Sequence, residues 1–293
     1  MKQWAAPAQR GAALSGQSNT NRQKRRLGRK LREMRERADM TMDEAAELLD
    51  KTRSSLHRIE VGETRADVHL IRSMMDIYDE RDDSLIDLSR AAKKKGWWYA
   101  FFGPSTEPFY IEDEAAASHA AFFELVTIPG LLQTEEYVRA HFAASNITGT
   151  KTRVDDVVTV RKIRQERLTD TEKPLLLHAV IDEAALRRMV GGREVMREQL
   201  QRLVTMASLP TVTLQVIPSS CGAHASMLSP FTVLSFPEPD EVDVQYVEYL
   251  GGSVRIDKPD RVRKTRLVFD HLCAMALPPE ESIRSVEEVI AEL

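Results

Sequence analysis

The chain has 293 residues, of which 42% are hydrophobic and 29% charged, the make-up of a folded globular protein and not of a disordered or collagen-like one. That length suggests two domains. The net charge of −4 is unevenly spread: residues 1–95 hold 21 Lys and Arg against 16 Asp and Glu, residues 96–293 hold 20 against 29. A basic front on an acidic body suggests a polyanion-binding module joined to something else.

Met1-Lys2 is not followed by an apolar run, which argues against a secretory peptide. Leu203–Pro237 contains no Asp, Glu, Lys or Arg, but Pro210, Pro218, Gly222 and Pro230 break it; it reads as buried strands and turns, not a membrane span. Cys221 and Cys273 are too few for a disulfide scaffold and read as free thiols in a reducing cytoplasm. No cofactor fingerprint and no metal-ligand spacing is present.

In chain order, residues 1–21 read as a mobile tail. The run Arg22-Gln23-Lys24-Arg25-Arg26 follows, either a solvated helix start or a phosphate contact. Leu27, Leu31, Met34 and Ala38 then mark one helix face. Thr41 and Glu44 fit a capping box for a short second helix carrying Ala45, Ala46, Leu48 and Leu49. Thr52 caps a third, with Leu56 and Ile59 inward and Gly62 at its end. Asp67 caps a fourth and Ser84 a fifth, giving an all-α domain over 22–95. Residues 96–111, with Trp97 and Trp98, read as an aromatic connector that packs in preference to stacking on bases.

The remainder, 112–293, mixes types, and its pattern predicts an α+β or α/β domain with a small sheet. Helices are expected at Glu112–Val126, after Thr134, at Val154–Leu168, Glu183–Val190, Val195–Met206, Lys258–Met275 and Ser282–Leu293. Strands are expected at Leu175–Ile181, Val212–Ile217, Phe231–Phe236 and Val242–Leu250.

Thr41–Gly62 has helix-turn-helix layout, with the turn at Asp50-Lys51. If Leu56 and Ile59 face inward, the opposite face of the third helix holds Ser54, His57, Arg58 and Val61, flanked by Arg53 and Ser55. Arg can bond guanine O6 and N7 in bidentate fashion and Ser can bond several base edges. Arg53, Ser54, Ser55, His57 and Arg58 are therefore the candidate base readers. Lys51, Thr52 and the amides at the helix start are candidates for phosphate.

Gly28–Arg37, Met40-Thr41 and Ser54–Gly62 together resemble the Xre/Cro-type helix-turn-helix. The resemblance implies double-stranded DNA as partner, phosphate contacts at Thr41, Met42, Lys51, Thr52 and Arg65, and an architectural pair between Arg35 and Glu60. The chain departs from the family pattern in having Met42 for a Gln, Asp50 for a Gly and Glu63 for a basic residue. Each departure weakens the expected hold on phosphate or the turn.

Ile128–Thr134, Arg164-Gln165-Glu166, Asp182–Arg187, Val195–Leu200 and Ser229–Thr232 resemble the domain that follows this helix-turn-helix in many actinobacterial regulators. That domain, long of unknown function, is now often described as antitoxin-like, and such regulators are often encoded beside a small partner protein.

Other constellations read blandly. Cys221-Gly222-Ala223-His224 lacks a third group at a telling spacing. Asp182-Glu183 and Glu112-Asp113-Glu114 read as helix-start acids. Pro129–Thr134 reads as a loop with core leucines, or else as the lining of a pocket or partner groove. The reading is thus a cytoplasmic, homodimeric DNA-binding transcription regulator, not an enzyme. The alternative is an antitoxin-like module for a small neighbouring-gene protein, with DNA binding for autoregulation.

Overall fold

The computed structural model describes residues 20–92, 97–98, 101, 109–145, 153–239, 241–249 and 252–293. Most of the expected tail and connector lies outside these. The chain divides into two compact units, Met1–Asp113 and Glu114–Leu293.

The first unit contains α1 (Thr20–Arg37), α2 (Met42–Leu48), α3 (Arg53–Glu60), α4 (Val68–Ile77) and α5 (Ser84–Ala91). Three of these starts have a local cause in a capping side chain. Thr41 and Glu44 close a reciprocal capping box on α2, the Thr52 hydroxyl takes the Ser55 amide, and Asp67 takes the amides of His69 and Leu70. Asp83, not Ser84, holds the N-cap position of α5 and makes no side-chain cap bond.

The ends of α1, α2 and α4 share one device. Asp39, Asp50 and Asp79 adopt positive φ of 52°, 51° and 51°. The next amide in each case bonds back five residues: Met40 to Arg35, Lys51 to Ala46, Glu80 to Met75. These are Schellman-type ends with Asp where glycine is usual. The amphipathic faces meet in one core of Leu27, Leu31, Met34, Ala45, Leu56, Ile59, Ile71, Met74 and Leu85.

Trp97 and Trp98 are buried and meet edge to face, so neither offers a ring to a base. The next helix is α6 (Phe109–Ala116).

The second unit is built on a six-stranded mixed sheet of order β3-β2-β1-β4-β5-β6. Its strands are β1 (His119–Glu124), β2 (Leu176–Asp182), β3 (Val212–Ile217), β4 (Phe231–Ser235), β5 (Val244–Tyr249) and β6 (Gly252–Ile256). β1, β2 and β3 are parallel; β4, β5 and β6 extend the sheet antiparallel. Between β1 and β2 run α7 (Glu135–Ser145) and α8 (Val154–Gln165). Between β2 and β3 run α9 (Glu183–Arg187) and α10 (Arg193–Ala207), and α11 (Pro259–Met275) and α12 (Pro279–Glu292) close the chain. Adjacent residues of β2 and β4 are buried, so both faces of the sheet's middle are covered, as parallel pairing requires. Phe269 and Leu272 of α11 pack with Phe123, Val180, Ile217 and Val233.

Three differences from the expected elements stand out. The helix expected over Glu112–Val126 is α6 followed by β1. Glu112–Ala117 favours helix locally, but Ala120–Phe123 lies between β2 and β4, where pairing on both sides outweighs propensity. β6 is not among the expected strands; its exposed, glycine-led sequence pairs, among the described residues, only with β5 at the sheet edge. The helix expected at Glu183–Val190 also stops early, at Arg187.

Candidate nucleic-acid interface

The seating of α3 begins with two glycines. A Cβ on Gly28 would lie 2.6 Å from the Glu60 carbonyl oxygen, so α1 meets the end of α3 only because no side chain intervenes. Gly62, at φ 79°, supplies the left-handed turn after α3, and a Cβ there would lie 2.7 Å from the Arg25 nitrogen.

The fork of Arg35 then locks the helix. Its Nε and Nη2 donate to the Glu60 carboxylate at 2.7 and 3.0 Å, and Nη1 donates to the Met40 carbonyl at 2.8 Å. Both residues are buried, and the Glu60 hydrogen bond raises the Arg35 pKa further. The pair implied by the resemblance is present, and it is architectural.

With Leu56, Ile59 and Glu60 inward, Arg53, Ser54, His57 and Arg58 face solvent and Ser55 is half-buried. The side chains of Arg58 and Lys51 form no ion pair among the described residues. Arg53 does: its Nη1 lies 3.3 Å from Asp43 Oδ2, with both side chains exposed. An exposed pair of this kind is worth at most about 1 kcal/mol, so Arg53 is restrained but not committed.

The residues expected to contact phosphate separate in environment. Lys51 and Thr52 are exposed at the start of α3. Thr41 is exposed, but its hydroxyl is engaged with Glu44 in both directions. Met42 is half-buried and packs on the core, so its thioether serves packing. Arg65 is half-buried with Nη1 at 3.4 Å from the Ser89 carbonyl.

The basic run at residues 22–26 is largely drawn inward. Arg22 is buried; Arg25 pairs with Asp113 at 3.1 Å and lies over the Phe109 ring. Of the acids at 112–114, Glu112 lies in the first turn of its own helix, as expected, but all three are buried. Glu112 takes the Asn21 and Arg22 amides at 3.5 and 3.3 Å, at the start of α1, and Glu114 forks onto Arg164 at 2.6 Å. Burial pushes the Glu112 carboxyl up to about 7 against the pull of Arg25 and these amides. A run of like charge in the sequence gives no sign of which members a distant buried acid will recruit.

In the second unit, Cys221 Sγ donates to the Met275 carbonyl, while His224 faces Asp182 at 3.4 Å. Asp182 caps α9 through the Ala184 amide. A Cys–His approach that no sequence spacing signals joins Cys273 to His178, at 3.7 Å between Sγ and Nε2. Burial, with Asp270 beside it, pushes this thiol up to about 11, the reverse of an activated thiolate. Among the described residues no group of three or more His, Cys, Asp and Glu side chains could hold a metal ion, and no helix is long and apolar enough to cross a membrane.

Two family profiles match the chain. A helix-turn-helix domain profile matches residues 26–88, and the profile of a domain of unknown function, DUF5753, matches residues 110–288. Neither a curated protein nor a solved structure matches the chain. The α3 geometry and the first match suggest a DNA-binding regulator; by the second match, which spans more than half its length, the chain belongs to the DUF5753 family.

Proposed function

We propose that the protein is a cytoplasmic, sequence-specific transcription regulator of the Xre type, from an actinobacterial lineage, that binds operator DNA as a homodimer. One observation carries this reading: α3 is locked from behind by Arg35 and Glu60 while Arg53, Ser54, His57 and Arg58 stand free of the core on its outer face. In this reading the N-terminal part of α3 lies deepest in the major groove, where Arg53, Ser54 and Ser55 reach base edges, with His57 and Arg58 behind. Lys51, Thr52 and the first amides of α3 take phosphate. Two such helices would address half-sites about 34 Å apart. No catalytic role is assigned.

The test is selection of genomic fragments by the purified protein at about 0.15 M salt, beside Arg53→Ala. Enrichment of an inverted repeat by the wild type, with Arg53→Ala losing about 1–3 kcal/mol there and little on random duplex, is the expected result. Equal losses on both would remove Arg53 as a base reader.

A second reading, a module that docks a small protein encoded nearby, is favoured by the open edge of the sheet. Among the described residues β6 is unpaired on one side, and Tyr249 and Val254 are exposed beside it. Co-purification of a neighbouring gene product, lost on Val254→Lys, would support it; a lone homodimer from native cells would count against it.

A further inference from the structure

The loop Ile128–Thr134 is held by an unusual number of glutamine contacts. Leu131 and Leu132 are fully buried, as expected of core leucines. Around them, Gln133 Nε2 donates to the Ile128 carbonyl, and Gln165 Nε2 donates to the carbonyls of Gly130 and Gln133 at 3.3 and 2.8 Å. Gln199 donates to the Leu132 carbonyl and accepts the Thr134 amide. The loop is thus fixed in place against α8 and α10.

Beside it lies a cavity of about 270 Å³, lined by Gln133, Val138, Val158, Arg161, Gln165 and Arg202. That is near the lower end of the size of small-molecule sites. Two atoms of its wall, Gln133 Oε1 and Arg202 Nε, lack partners among the described residues. Gln133 is 6% exposed, and its Oε1 accepts no hydrogen bond, although its amide nitrogen is bonded. Arg202 donates to Gln165 Oε1 at 3.0 Å but meets no carboxylate among the described residues, and its Nε is buried without an acceptor. A buried acceptor and a buried guanidinium N–H, each without a partner among the described residues, are costly unless something else completes them. The acids nearby do not: Glu135 is occupied by Arg139 and Lys162, and Glu136 stands exposed at the rim. Burial accordingly lowers the Arg202 pKa.

We propose that this cavity binds a small organic carboxylate that also carries an N–H donor, the carboxylate pairing with Arg202 and the donor satisfying Gln133 Oε1. A planar guanidinium suits a carboxylate, and a combined acid and amide of amino-acid size suits the volume. The site would make the second unit a sensor of a metabolite, independently of how the first unit reads DNA.

The test is saturation-transfer NMR on the full chain with a panel of N-acetyl amino acids, their C-terminal amides and inorganic phosphate. One or more of the acids should bind, with the matching amide at least tenfold weaker. Arg202→Gln should lower that affinity tenfold or more, and Glu136→Lys, on an exposed residue, should raise it several-fold at low salt. Binding by none of the acids, or binding unchanged in Arg202→Gln, would overturn the proposal. Phosphate binding as tightly as the acids would overturn the carboxylate assignment. If Arg202→Gln does not fold, Glu136→Lys decides: unchanged affinity there would overturn it.

Discussion

Arg35 and Glu60, 25 residues apart in sequence, meet as a two-pronged buried ion pair that ties the first helix to the end of the outward-facing helix. The third guanidinium contact, to the Met40 carbonyl, extends the tie to the turn before α2. One side chain therefore sets the relative positions of three segments of the helix-turn-helix. Removing one partner leaves the other charge buried and alone. Glu60→Gln is expected to destabilise the first unit by about 3–5 kcal/mol. Urea denaturation would show this, and a loss below about 1 kcal/mol would mean the pair is not the lock described here.

Gly28 makes a second, sterically sharper prediction. Gly28→Ala improves helix propensity by about 1 kcal/mol. Yet the new methyl would enter the space of the Ile59 and Glu60 carbonyls, which are backbone and cannot swing aside. A net loss of roughly 2 kcal/mol or more is expected. A thermal melt showing a gain would indicate that α1 and α3 are less tightly apposed.

Asp43 sits where it restrains Arg53 and would repel phosphate. Asp43→Asn is expected to raise DNA affinity several-fold, most strongly at low salt, while moving stability by less than about 1 kcal/mol. Fluorescence anisotropy with a labelled operator across a salt series would measure it. Unchanged affinity at every salt concentration would place Asp43 away from the DNA.

The second unit should lose stability as the pH rises. Burial, reinforced by Glu248, pushes the Glu124 carboxyl from the ordinary 4.5 up to about 8. Its contribution is fully present below about 4.5, where both states are protonated. Above that the unfolded chain releases a proton that the native state keeps, until the native group too ionises near 8. Stability should fall by about 2–4 kcal/mol between pH 5 and 8.5 at constant salt. Glu124→Gln should flatten that decline and be the more stable protein at pH 8.5. Parallel pH curves for the two would rule out the assignment.

The helix-turn-helix was legible because its signals are local. A capping Thr, an apolar pair three residues apart and a terminal glycine each act within one helical turn, and Thr41, Thr52 and Asp67 cap as their sequence context indicates. Even the Arg35–Glu60 pair was accessible, through resemblance. The uses of the remaining polar side chains were not. Arg25 and Arg53 look alike in the sequence; one is bound to Asp113 and lies over an aromatic ring, the other stands in solvent beside Asp43.

The same division separates the two halves of the protein. Strands β2 to β5 show in their β-branched and aromatic content. β1 does not, because Ala120–Phe123 becomes a strand through pairing with partners more than fifty residues away on one side and more than a hundred on the other. The cavity at Gln133 and Arg202 is likewise invisible along the chain. It exists because a loop, α8 and α10 converge without filling the space between them, and an unsatisfied acceptor is a property of surroundings, not of residue type. Local bonding wrote the helix-turn-helix into the amino-acid order; long-range burial settled which of its charges remain available and where the second unit was left incomplete.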